Sequence, residues 1–119
     1  MNKLIAEMTL PISPSINHLY LQKGKMRFMT KEGKRCKELI ETIARSLKMP
    51  SPSLSNLKVE LDYYFEKNNR DLLNSSKVEM DTLQGIIFEN DRQIKEATLR
   101  MFKDKDNPRC EVRIYEICS

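Results

Sequence analysis

Residues 57–65 read LKVELDYYF, and the fold follows from them. Leu57, Val59, Leu61, Tyr63 and Phe65 alternate with Lys58, Glu60, Asp62 and Tyr64. Successive side chains of a strand point to opposite faces, so the alternation predicts a strand with one buried face. The strand runs out at Glu66-Lys67-Asn68-Asn69 and delivers Arg70 and Asp71 to the mouth of the next element. Functional groups concentrate where a rigid element gives way to a turn.

Downstream, residues 69–94 read NRDLLNSSKVEMDTLQGIIFENDRQI. On a helix counted from Asp71, Leu73, Ser76, Met80, Leu83 and Ile87 fall within roughly 80° of one another and predict a core-facing stripe. Asp71, Asn74, Lys77 and Asp81 cluster on the other side, and Val78 sits among them. Lys77 and Asp81 also have the spacing of a simple i,i+4 surface pair. Gly85 lies near the end of this helix, and the segment closes in Glu89-Asn90-Asp91. Carboxylates at both ends of one helix can meet if the chain then folds back. Mg²⁺ is held by one or two carboxylates together with substrate phosphate oxygens. The segment therefore has the parts for metal-assisted phosphodiester chemistry.

Upstream, residues 3–10 (KLIAEMTL) predict a strand, broken by Pro11, Ser13, Pro14 and Ser15. A lone histidine, His18, comes next and is read as a surface or hydrogen-bonding residue. Residues 19–30 predict a hairpin with its turn at Gln22-Lys23-Gly24-Lys25. Thr30 is placed to cap a helix from Lys31 to Lys48. There Cys36, Leu39, Ile40, Ile43, Ala44 and Leu47 form the core stripe, opposite Lys34, Glu38, Glu41 and Arg45. Pro50 and Pro52 end that helix in a loop. Past Asp91, Gln93–Phe102 and Glu111–Ile117 predict two further strands joined by a turn at 103–108 and paired as a hairpin. The expected fold is α+β (mixed α/β): one small domain over residues 1–119, with about five to six strands and two main helices on one face of the sheet.

Composition narrows the function. The 119 residues suffice for one core. No run of about 18 apolar residues exists, and no signal-peptide pattern opens the chain, so a cytoplasmic protein is expected. Cys36, Cys110 and Cys118 are odd in number, lack a C-x-x-C spacing and accompany a single histidine, which argues against zinc. Formal net charge is +4. Lys23, Lys25, Arg27, Lys31, Lys34, Arg35 and Lys37 crowd a stretch whose sole acid is Glu32. Such a cluster is a solvated face or, beside a phosphodiester-cutting site, a grip on phosphates. A protein-interaction domain with no nucleic-acid role is the bland alternative, and it expects no salt-dependent affinity for DNA.

Asp71-Leu72-x-Asn74, then Lys77, Asp81 and Asn90-Asp91-x-Gln93-Ile94, resembles the signature of the RusA-type Holliday-junction resolvases. The opening Leu10-Pro11-Ile12-Ser13-Pro14-Ser15-Ile16-Asn17-His18-Leu19-Tyr20 resembles that family's L-P-x-x-P-S-x-N-x-x-Y. The resemblance implies a Mg²⁺-dependent endodeoxyribonuclease that resolves four-way junctions by paired symmetric nicks and works as a homodimer. It implies Asp71 and Asp91 as metal ligands, with Asp81 or else Glu89 or Glu79 as the third. Lys77 would stabilise charge on the phosphate, and Asn74 would orient a ligand or the scissile phosphate. Arg70 and the basic cluster would grip flanking backbone. Leu73 departs from the pattern, because the family has an aspartate there. A catalytically impaired branched-DNA-binding protein on the same scaffold is the alternative this substitution motivates.

Overall fold

A computed structural model describes residues 2–13, 20–67, 72 and 76–118. Its strands are β1 (Asn2–Leu10), β2 (Tyr20–Lys23), β3 (Met26–Met29), β4 (Leu57–Phe65), β5 (Ile94–Lys103) and β6 (Arg109–Ile117). Among the described residues the helical elements include α1 (Lys31–Ser46) and α2 (Lys77–Leu83), and a 3₁₀ turn spans Asp91–Gln93. Four strands form one sheet in the order β1-β6-β4-β5, and β2 and β3 form a separate ribbon. The mixed α+β class and the element order agree with the sequence-based expectation.

The alternation in β4 does what its pattern requires. Leu57, Val59, Leu61, Tyr63 and Phe65 are all buried. Cross-strand register extends this face sideways in rows: Ala6–Ile114–Val59, Met8–Val112–Leu61 and Leu10–Cys110–Tyr63. Cys36, Ile40 and Ala44 of α1 and Val78 and Leu83 of α2 complete the core on it. The two helices pack on each other, and α1 also packs on β1.

The strand pairing corrects one expectation. β5 and β6 are not hairpin partners, because β4 lies between them, parallel to β5 and antiparallel to β6. β4 is the most completely buried strand and so takes a neighbour on each side, whereas β5 is largely exposed and lies at the edge. Residues 104–108 step across the end of β4, where Asp104 N–H donates to Phe65 O at 2.8 Å. A parallel pair needs a long crossover, usually helical, and residues 66–93 with α2 supply it.

Both helical stripes also differ from their expected registers. In α1 the Thr30 cap forms as expected, with its hydroxyl accepting from Gly33 N–H at 3.0 Å. The buried set, however, is Gly33, Cys36, Ile40 and Ala44. Leu39 is 48 % exposed and Leu47 37 %. Leu39 points about 100° away from Ile40, and Leu47 is the C-cap, beyond the helix proper. In α2 the buried residues are Val78, Glu79, Thr82 and Leu83, while Met80 is half-buried. Val78 therefore faces the core. Leu83 is buried as expected, but Val78, Glu79 and Thr82 share the core side with it, so the buried stripe is rotated about the helix axis from the one expected. Ile87 is buried as expected, but from the turn beyond the helix.

No helix covers the opposite face of the sheet among the described residues. On it, Arg113 bonds Glu60 at 3.1 Å and Asp62 at 2.6 Å, and Arg100 bonds Asp62 at 2.5 Å. Tyr64 stacks on Phe102 with ring centroids 5.0 Å apart, and the Arg109 guanidinium lies 3.9 Å from the Tyr64 ring centre.

Candidate active site

The crossover from β4 to β5 holds the predicted site, and its geometry depends on one glycine. After α2, Gln84 turns extended, and Gly85 takes a φ of 89°, a left-handed conformation costly for residues with a Cβ. The chain reverses there: Gly85 N–H donates to Phe88 O at 2.6 Å, and Ile87 N–H to Leu83 O at 2.9 Å. Ile87 and Phe88 then plug into the core. The loop after α1 straps them down, with Ser53 N–H bonded to Ile87 O at 2.8 Å and Glu89 N–H to Ser53 O at 3.1 Å.

Next comes a reciprocal cap. The Asn90 side-chain oxygen accepts from Arg92 N–H at 2.9 Å, and Gln93 Oε1 accepts from Asn90 N–H at 2.7 Å. The Gln93 amide nitrogen meanwhile donates to both Ser53 O and Ser55 O, at 2.8 Å each. Asp91 N–H donates to Gln84 Oε1 at 3.1 Å, tying it to the C-terminal end of α2. The backbone at Asp91 is thus clamped from both sides while its carboxylate is exposed.

The predicted site residues divide around this turn. Lys77 is the first residue of α2 and Asp81 lies one turn on; both are exposed and share the outer side of the helix. Glu89 is exposed on the reversed chain. Arg70, Asp71, Leu73 and Asn74 lie outside the described residues, as does His18, so the approach of Asp71 to Asp91 falls there too. Lys23, Lys25 and Arg27 on the ribbon and Lys31, Lys34, Arg35 and Lys37 on α1 are all exposed.

Glu79 sits apart from these carboxylates. It is fully buried on the core side of α2 and accepts from the Ser13 hydroxyl at 3.3 Å. This contact ties α2 to the loop after β1. Burial pushes the Cys36 thiol up to about 11, with the Glu79 charge adding to the effect. Burial, and then Glu79, push Cys110 higher still. Both are structural thiols, since the reactive form of a thiol is the thiolate.

The donor chemistry suits a hard divalent cation: Asp81 and Asp91 offer exposed carboxylate oxygens on adjacent elements. Among the described residues no three acidic, histidine or cysteine side chains gather into a complete metal site.

Periodicity gives no structural role to Gln84, Gln93 or Ser53. The Asn90–Gln93 pair has capping-box spacing and is readable from sequence. The Gln84–Asp91 and Gln93–Ser53 contacts bridge a glycine turn and two distant loops, and no local pattern announces them.

A family model described as "Endodeoxyribonuclease RusA" matches residues 10–115 of the 119. No curated protein matched the chain.

Proposed function

Because the chain belongs to the RusA endodeoxyribonuclease family, whose members resolve Holliday junctions, we propose that it cuts four-way DNA junctions by paired symmetric nicks in a Mg²⁺-dependent reaction. The observation that carries this is the match over residues 10–115, which takes in the whole β4–α2–β5 crossover. In this mechanism Asp71 and Asp91 hold the cation, with Asp81 as supporting ligand. The ion supplies charge neutralisation at the phosphate and makes water more acidic. Lys77 faces the charge that grows on the phosphate oxygens, and Asn74 orients a ligand or the scissile phosphate. Lys23, Lys25, Arg27, Lys31, Lys34, Arg35 and Arg70 hold flanking phosphates without reading sequence. A junction has two-fold symmetry, so a homodimer puts one such site at each of two opposed strands. The enzyme would work in the cytoplasm.

The test is cleavage of a synthetic four-way junction in Mg²⁺. The unaltered protein should give symmetric nicks. Lys77→Ala and Asp91→Asn should each lose about 10²–10³-fold in rate, typical for removing an electrostatic stabiliser. Junction binding in both should stay within a few fold. Cleavage that survives both substitutions would overturn the assignment.

Leu73 favours a second reading, a branched-DNA-binding protein that cuts poorly. It predicts junction binding without nicks by the unaltered chain and a gain of cutting in Leu73→Asp.

A further inference from the structure

Among the described residues, the ribbon of β2 and β3 pairs with no strand of the main sheet. Its tip is a two-residue connection in which Gly24 takes a φ of 64°. Leu21 stands opposite Phe28, and Lys23 opposite Met26. Side chains alternate across strands, so these four share one face, while Gln22 and Arg27 share the other. Leu21 is 62 % exposed, Met26 60 % and Phe28 44 %. A lone two-stranded ribbon is marginally stable in water. Large apolar residues grouped on one of its faces mark a contact surface.

The surrounding charge identifies the occupant. Lys23, Lys25 and Arg27 are on the ribbon, and Lys31, Lys34, Arg35 and Lys37 open α1 just past Thr30. A second copy docked on this face would bring two such cation sets together. Nucleic acid has the complementary charge, and a branch point whose arms are held apart also exposes the flat apolar faces of the base pairs that border it. We propose that the Leu21–Met26–Phe28 face contacts these exposed bases at the junction's branch point, Phe28 stacking on one of them while the flanking cations hold phosphates. Wedging apolar side chains against opened base steps is a general mode of DNA recognition, as is stacking of bases on aromatic rings. The inference rests on the junction-nuclease assignment and deepens it: the ribbon selects branched over linear DNA, separately from the metal site.

The chain contains no tryptophan, so Phe28→Trp creates a single fluorescent reporter. Its emission should be quenched by a four-way junction and unchanged by linear duplex of equal length. Phe28→Ala should lower junction affinity about ten-fold or more while leaving duplex affinity and the salt slope as they were. Lys25→Ala should weaken both DNAs alike and flatten the slope. Equal loss on both DNAs in Phe28→Ala, or no loss, would overturn the inference and leave the nuclease assignment standing. So would a dimer that falls to monomers in Phe28→Ala, because the face would then join two copies. An unaltered protein with no affinity for either DNA would overturn the nuclease assignment and the inference together.

Discussion

Gln93 does more with one amide than its half-buried position suggests. It accepts from Asn90 N–H at 2.7 Å and donates to two carbonyls, Ser53 O and Ser55 O, at 2.8 Å each. It therefore fixes the turn that carries Asp91 to the loop beyond α1. Gln93→Ala takes the partner from Asn90 N–H and Ser55 O, while Ser53 O keeps its bond from Glu89 N–H, and should cost about 1–3 kcal/mol in urea unfolding. Gln93→Glu keeps the bond to Asn90 but sets a carboxylate against two carbonyl oxygens, so at neutral pH it should cost more. If Asp91 is a metal ligand, both variants should also need more Mg²⁺ for half-maximal cleavage. An unchanged unfolding midpoint in both would show that the clamp holds nothing. Residue identity is legible here only in part. The motif around Asn90 and Asp91 is visible in the sequence, but the structural work of Gln93 is not, because both of its carbonyl partners lie about 40 positions away.

Among the elements, the short helix α2 depends on how it stops. Gly85, at a φ of 89°, has open space where a Cβ would go. Gly85→Ala therefore meets no clash, and its cost is that of the left-handed backbone, about 1–2 kcal/mol. A thermal melt should show the loss, and Gly85→Asn, which tolerates that conformation better, should recover part of it. Equal stability of all three would mean that the backbone relaxes out of the turn. The elements themselves are legible wherever periodicity is strong. β4 has the boundaries its alternation gives, and the Thr30 cap starts α1 where its chemistry requires. Phase is less legible. Val78 lies on the core side while Met80 is only half-buried against it, and a buried Glu79, supported by Ser13, occupies the core face of α2 where an apolar stripe would exclude it. The place of β5 beside β4 rather than β6 is hidden for a similar reason. A turn at 104–108 reads the same whether its strands are neighbours or flank a third, and only the two-sided pairing of β4 decides.

Over the whole molecule, charge is divided by region. Residues 23–37 hold seven cations and one anion, a local +6 that exceeds the +4 of the entire chain. The rest of the protein is therefore net negative, and its sheet arginines are matched: Arg100 and Arg113 by Asp62 and Glu60, Arg109 by Asp104 and Glu111. Attraction for a polyanion is thereby concentrated on the ribbon and the start of α1, while the charges on the uncovered face hold the sheet together. That division has a pH signature. The Arg113 hydrogen bond, with Tyr115 and Arg100 assisting, outweighs partial burial and holds Glu60 below its ordinary value of 4.5. Burial pushes Asp62 upward, but Arg100 and Arg113 together outweigh it and hold this carboxyl below 3.8. Groups with depressed folded-state values stabilise the fold in full above their unfolded values and lose that stabilisation as pH falls through the folded ones. Stability should therefore be level above about pH 5 and fall steadily toward pH 3 and below. Asp62→Asn should cost about 1.5–3 kcal/mol at pH 7, the range for hydrogen bonds to charged groups. The same variant should lose less than the unaltered protein between pH 5 and pH 3, because one of the titrating carboxylates is gone. Urea midpoints at pH 7, 5 and 3 measure both quantities. Parallel pH profiles for the two proteins would show that the Arg100–Asp62–Arg113 cluster contributes nothing to acid sensitivity.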